Sequence, residues 1–404
     1  MIYLDSNATS PPRPEAFEAM RPWLTERAGN PASAHSAGRQ ARRALEDARE
    51  QVAAMLGAFP DEVVFTSGAT EANNLAIFGL CGNPPGHLIA SSIEHPCVVE
   101  PLKHLAELGF ELEWLPVNGD GIIEADAISS RVRPETRLIA VMLANHETGA
   151  IQPVQELSTL CSAIRVQDSG LRAEDSAPST QHSVLSTGYS VPFHCDAAQA
   201  VGKMPVNFHE LGVTTLSASG HKFGAPVGVG ILLVNRCTRI QPMQFGGHQQ
   251  RGRRPGTESV ALAVGFAAAL AASLRDLEST QTRMICFRRR FLEVLQRDAA
   301  PVILNGPAAG GLPHVFNLSF PGCRADALLM ALDLAGVNCS TGSACSSGSL
   351  LPSPVLSAMG IGEKRLHSAM RFSFGWSLTE EEIDEAAGCI SRVVQRLRKT
   401  ADQP

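Results

Sequence analysis

The chain has 404 residues, of which 44 % are hydrophobic and 18 % charged, and its net charge is −6. At ~150 residues per domain, that length points to two domains. The composition excludes a mainly disordered chain and a globally basic nucleic-acid binder.

The N-terminal MIYLDSNATS carries Asp5 and no basic stretch ahead of an apolar core, so no export signal is expected. Next, Ala41, Leu45, Ala48, Val52 and Met55 recur at helical spacing and predict a helix over Gly38 to Leu56. Val63 to Thr66 is a short apolar run closed by Ser67-Gly68, with a second helical pattern behind it. Apolar runs recur at His87 to Ala90, Leu112 to Val117, Leu138 to Leu143, Val191 to His194, Thr214 to Ala218 and Val229 to Val234. Apolar strands alternating with helices predict an α/β fold, its mostly parallel sheet covered on both faces. Ligands of such sheets sit where strands end and loops begin.

Gln167 to Ser190, rich in Ser, Asp, Thr and Gly, breaks this rhythm and reads as a surface insertion. The longest uncharged apolar stretch, Ser259 to Leu274, is closed by Glu258 and Arg275. It is too short to span a membrane comfortably and predicts a buried helix. Leu378 to Lys399 predicts a last helix, with Thr379 and Glu382 as a capping box and a stripe of Ile383, Ala386, Ile390, Val393 and Leu397. A smaller domain is expected from residue 258 onward. The ten Cys include no CxxC pair, so free thiols in a reducing cytoplasm are expected rather than a disulfide framework or a zinc site.

Five lysines serve the whole chain: Lys103, Lys203, Lys222, Lys364 and Lys399. Four lie in polar or turn-like surroundings. Lys222, after SASGH and before FGAPVGVG, ends an apolar run in a Gly-rich setting. Burial there favours the neutral amine that Schiff-base chemistry needs; a structural ion-pair lysine fits the position equally well. Asp196, ending FHCD, is a strand-end acid. It could hold a pyridinium nitrogen, as of pyridoxal phosphate, or cap a helix. FTSGATEANN, from Phe65, is a strand, a Gly turn and a helix start, a place for a phosphate, though many such turns hold none. Cys345 lies in the small, polar STGSACSSGS, which suits an accessible thiol, whereas Cys339 reads as packed.

Taken together, these motifs resemble the cysteine desulfurases, pyridoxal-phosphate enzymes of the class-V aminotransferase family. The resemblance covers nearly the whole chain. It rests on GNPAS (Gly29), FTSGATEANN (Phe65), EH (Glu94), ANHETG (Ala144), DAAQ (Asp196), SGHK (Ser219), GGHQQRGRRPGT (Gly246), STGSAC (Ser340) and RFS (Arg371), in that order. It implies PLP-dependent fold type I: a large domain with a mostly parallel seven-stranded sheet over residues 15–257, with an insertion at 167–190. A smaller α+β domain would comprise residues 1–14 and 258–404 and carry the cysteine loop of the long-loop branch.

The same resemblance implies the site. Lys222 would form the Schiff base with the cofactor. Asp196 would pair with the ring nitrogen, Gln199 with the ring oxygen, and His95 would stack on the ring and move protons. Ala69, Thr70, Ser219 and His221 would hold the phosphate. Thr257 would reach the cofactor of a partner subunit, which implies a homodimer. Asn30, Asn145 and Arg371 would bind substrate, with Asn145 also at the cofactor. His95 has separate support, because the only two Tyr, Tyr3 and Tyr189, fall outside the stacking motif. The implied reaction takes sulfur from L-cysteine, leaving L-alanine and a persulfide on Cys345. The acceptor would be an iron–sulfur scaffold or a tRNA-thiolation relay protein. Neither nucleic acid nor membrane is an expected partner. A selenocysteine lyase, an aminotransferase and a partner-binding PLP protein are the alternatives. His146 follows Asn145 where the family often has a second Asn.

Overall fold

The short apolar runs become strands because period-two alternation lets each serve two buried faces. The computed structural model describes residues 1–82, 86–163, 190–342 and 352–401. Cys345 and residues 167–189 of the expected insertion lie outside the described residues. The strands are β1 (Ile2–Tyr3), β2 (Val63–Thr66), β3 (His87–Ser91), β4 (Glu111–Leu115), β5 (Thr136–Ala140) and β6 (Phe193–Asp196). They continue with β7 (Thr215–Ser219), β8 (Gly230–Val234), β9 (Ile303–Asn305), β10 (Val315–Ser319), β11 (Val337–Asn338) and β12 (Ala369–Ser373).

Seven of them form one sheet in the order β2-β8-β7-β6-β5-β3-β4. It is parallel from β7 to β4, and β8 runs against both its neighbours. In β8, Ile231 and Leu233 face one core while Leu232 and Val234 face another. β4, at the edge, is exposed at Glu111. The predicted run Leu138 to Leu143 overshoots its strand. Val141 and Leu143 still bond to the carbonyls of His194 and Asp196, but outside the regular ladder. Apolarity reports burial here, not pairing.

The first four long helices are α1 (Pro14–Thr25), α2 (Ser36–Met55), α3 (Ala69–Cys81) and α4 (Pro96–Glu107). His35 caps α2, its Nδ1 accepting from Gly38 N at 3.2 Å. The Ala-rich stretch is indeed a buried helix, Val260–Arg275. It packs on α1 and α2, and Ala263, Phe266, Ala267 and Leu270 join the core of the large sheet. A division at residue 258 would therefore cut this helix from its own core. Small side chains explain the attachment: a Cβ on Gly265 would stand 2.5 Å from Met20 Sδ.

The core changes one residue later. Leu277–Asp298 leaves the preceding helix at a 65° bend. Its Met284, Phe287, Phe291 and Leu295 pack with Phe316, Phe372, Phe374, Ile383 and Ile390. Phe291 lies 5.5 Å from each of the rings of Phe316, Phe372 and Phe374. This core covers the antiparallel sheet β12-β10-β9, and β1 pairs with β11 to bring the N-terminus into it. The last helix, Glu380–Ala401, shows its expected capping box: Thr379 N donates to Glu382 Oε2 at 3.0 Å and Glu382 N to Thr379 Oγ1 at 3.3 Å. Among the described residues no single helix is long and apolar enough to cross a membrane.

Candidate active site

Chain direction collects the candidates at one edge of the large sheet. Asp196 is the last residue of β6, Lys222 lies in the turn after β7, and His95 caps α4 behind β3. α3 starts just beyond β2, and Asn145 follows β5. These are the C-terminal ends of strands running the same way, the ligand edge of an open α/β sheet.

Asp196 is buried at the centre. Its Oδ2 accepts from Asn73 Nδ2 at 2.8 Å, and its Oδ1 from Ala198 N at 2.9 Å. Asn73 Oδ1 faces His194 Nε2 at 3.0 Å, and His194 Nδ1 faces Thr215 Oγ1 at 2.9 Å. A carboxylate only accepts, so Asn73 must present its amide nitrogen to Asp196. His194 then donates from Nε2 and accepts from Thr215. Burial pulls the His194 pKa down to about 4 against the pull of Asp196, which keeps it neutral for that task. Asn73 stood in a quoted motif without a role, and its network spans three distant segments.

Lys222 Nζ donates to the carbonyls of Asn7 at 2.7 Å and Ala8 at 2.9 Å. Lys203 was read as an ordinary turn lysine, but it is a second amine here. Its Nζ bonds Gln199 Oε1 at 2.9 Å and Asn7 Oδ1 at 3.1 Å. Burial, then the charges of Lys222 and Arg371, push its pKa well below the usual lysine range. The spacing of Gln199 and Lys203 was the available signal. Gln199 Nε2 donates to Asn7 O at 3.1 Å.

His95 Nδ1 accepts from Cys97 N at 3.2 Å and lies 2.9 Å from Cys97 Sγ. Burial lowers its pKa; Asp196 opposes that shift, and Lys222 and Arg371 add to it. Thr70 and His95 line one open groove with Asn74 and Cys97. His221 Nδ1 meets Thr9 Oγ1 at 3.2 Å, and burial plus Lys222 and Lys203 bring its pKa down to about 4.

The residues fit pyridoxal phosphate. Ala69 and Thr70 open the first turn of α3, whose N–H groups and dipole suit a phosphate. A Cβ on Gly68 would reach within 3.8 Å of Ser219 Oγ, and one on Gly230 would collide with Gly68 Cα at 2.6 Å. The turn therefore keeps its backbone close to Ser219. A buried acceptor-only carboxylate, a lysine amine and an imidazole complete the donor set a pyridinium aldehyde requires.

Arg371, in β12, pairs with Asp5 Oδ1 at 2.7 Å and donates to His146 O at 3.2 Å, while its buried Nε has no acceptor among the described residues. Asn145 lies in the turn behind β5. Its Oδ1 accepts from Glu147 N at 2.9 Å and Thr148 N at 3.0 Å, and its Nδ2 donates to Ile93 O at 3.2 Å. That amide braces its own turn. The next residue, His146, faces the cluster instead, with its ring 5.2 Å from that of His95. Asn30 is exposed, its Oδ1 taking Ala32 N at 2.9 Å. Thr257 is exposed too, and among the described residues no hydrogen bond joins either one to the cluster.

The class-V aminotransferase pattern matches residues 2–187 and 179–386. The chain is 40 % identical over 400 residues to the cysteine desulfurase IscS of Dictyoglomus turgidum, covering 98 % of this chain and 95 % of that one. It is 40 % identical over 404 residues to the mitochondrial cysteine desulfurase of Drosophila melanogaster, covering 98 % and 82 %. Among solved structures, a NifS-like protein superposes with a TM-score of 0.86 at 30 % identity, covering 98 % of this chain and 99 % of that one. DndA from Streptomyces lividans superposes at 0.72 with 36 % identity, covering 92 % and 99 %. SspA in complex with cysteine gives 0.77 at 30 %, covering 93 % and 99 %. The chain accordingly belongs to the class-V aminotransferases, and within them to the pyridoxal-phosphate-dependent cysteine desulfurases.

Proposed function

We propose that this chain takes the sulfur of L-cysteine onto Cys345 as a persulfide and releases L-alanine. The observation that carries the reading is the meeting of Lys222, Asp196 and His95 at one sheet edge, in a chain with this relationship to cysteine desulfurases. Bound pyridoxal phosphate supplies an electron sink for the substrate carbon. Asp196 would pair with the protonated ring nitrogen, and Gln199 would bond the ring oxygen. Ala69, Thr70, Ser219 and His221 hold the phosphate. Arg371 receives the substrate carboxylate, its Nε, which has no acceptor among the described residues, offering a donor. Asn30 and Asn145 would join it at the substrate.

With the cofactor bound, Lys222 would hold it and would move the Cα proton at Nζ. His95 would assist in moving protons at the substrate. The Cys345 thiolate attacks the substrate sulfur. An S–S bond forms, the C–S bond breaks, and its electron pair stays with the carbon, which becomes alanine after protonation. The persulfide passes to an acceptor thiol, on an iron–sulfur scaffold or a tRNA-thiolation relay protein. We place the enzyme in the cytoplasm as a homodimer, with Thr257 reaching the partner subunit's cofactor. The two cores suggest two units, meeting near Asp276 rather than at residue 258.

The test is alanine release by the cofactor-loaded protein with L-cysteine and a reductant. Alanine should form and should fall to background in Cys345→Ala, whose cofactor spectrum stays unchanged. Alanine from L-selenocysteine alone, or turnover that needs a keto acid and not Cys345, would overturn the proposal.

A further inference from the structure

Lys203 has no task in the proposed reaction, yet it stands beside two other cations. The charges of Lys222 and Arg371 bear on it, and Lys203 and Lys222 line one cavity. A third basic side chain there is unfavourable by charge and by burial, so packing alone gives no reason for an amine rather than an apolar side chain. The backbone of Lys203 is fixed: its N donates to Ala200 O at 3.0 Å, and its O accepts from Gln281 Nε2 at 2.9 Å. The amine then makes two bonds, to Gln199 Oε1 at 2.9 Å and to Asn7 Oδ1 at 3.1 Å.

These contacts set the direction of the Gln199 amide. A side-chain amide accepts at its oxygen and donates at its NH2, and its partners decide which end lies where. Lys203 donates to the oxygen. At the other end Gln199 Nε2 donates to Asn7 O at 3.1 Å, a carbonyl that can only accept. Asn7 is itself oriented, its Nδ2 donating to His146 O at 3.1 Å while His314 Nε2 stands 3.2 Å from its Oδ1. Lys222 Nζ donates to the same Asn7 O at 2.7 Å. One carbonyl oxygen thus holds the Lys222 amine and the Gln199 NH2 side by side. In pyridoxal phosphate the aldehyde, which a lysine amine bonds, and the ring oxygen occupy neighbouring ring positions. Gln199 Nε2 carries a second hydrogen for that oxygen. Turned over, the amide would set its own oxygen against Asn7 O and against the ring oxygen, lone pairs facing lone pairs.

We infer that Lys203 is a positioning residue: it holds Gln199 with its NH2, not its oxygen, toward the ring oxygen of the bound cofactor. This rests on the proposed place of Gln199 at that oxygen. A donor there stabilises negative charge on the oxygen and so lowers the pH at which the bound cofactor loses its proton. Lys203 acts on that pH through Gln199. The charged and titratable groups around Lys203 are Lys222, Arg371, His221 and His314. Any effect of Lys203 through its charge alone is the same with or without Gln199.

The readout is the pH midpoint of the absorbance change of the bound cofactor, in cofactor-loaded protein without substrate. Gln199→Leu should raise the midpoint by about one pH unit, the scale of one hydrogen bond. Lys203→Met should raise it by a similar amount when Gln199 is present, and much less in the Gln199→Leu background, because the two act as one unit. Lys203→Gln, which returns a donor to Gln199 Oε1, should shift it less than Lys203→Met. Should the Met variant not fold, Lys203→Ala makes the same comparison. An unchanged midpoint in Lys203→Met, or an equal rise in both backgrounds, would overturn the inference and leave Gln199 in its place. An unchanged midpoint in Gln199→Leu would overturn the place of Gln199 and the inference with it.

Discussion

At the residue scale the site depends on groups that never touch a ligand. Asn73 and Ala198 aim donors at Asp196, and Asn73 is aimed in turn by His194 and Thr215. Asn73→Ala removes one charge-assisted bond, of about 1.5–3 kcal/mol. Cofactor affinity of the apoprotein, by equilibrium dialysis, is expected to fall at least tenfold. Affinity equal to wild type would show that Asp196 needs no such support. Glu147 makes a prediction of stability. Burial raises its pKa from 4.5 to about 7, partly offset by Ser353 and Arg371. The folded chain therefore keeps a proton that the unfolded chain has lost between those values, and stability falls as pH rises through that window. Glu147→Gln should remove this loss. Relative to wild type it should gain about 3 kcal/mol in urea unfolding between pH 4.5 and 7.5. A difference independent of pH would contradict the assignment.

Single residues also mark what the sequence could not disclose. Lys222, Asp196 and His95 were legible because each sits in a short motif tied to one strand end. Asn73 and His146 were not, because their surroundings come from segments far away in sequence. Asn145 lies in a quoted motif, but the motif does not say that its amide braces Glu147 and Thr148.

At the scale of elements, local chemistry was the better guide. Thr379 and Glu382 announced a helix start, and both capping bonds are present. Thr379→Ala should lower stability by about 1 kcal/mol, read as a fall in Tm, without changing cofactor binding. Strand ends were less legible. Apolar runs continue past β5 because residues 141–143 stay buried after the ladder stops. The allegiance of Val260–Arg275 was hidden altogether. Its Ala-rich face fits either core, and only the close approach of α1 at Gly265 settles it.

At the scale of the molecule, two cores meet at the bend after Arg275. The chain's N-terminus crosses to the second core through β1, which brings Asp5 to Arg371. The cluster therefore joins the large sheet to the smaller one. Phe245 is 90 % exposed beside the segment that carries Thr257. A dimer would cover it, and sedimentation should give twice the chain mass. The chemistry itself is tested most directly by one turnover without reductant. Cofactor-loaded protein is mixed with L-cysteine, and its peptides are mapped by mass. The account predicts one extra sulfur atom on the peptide carrying Cys345, together with one L-alanine per site. Alanine formed with no sulfur retained on Cys345 would contradict it.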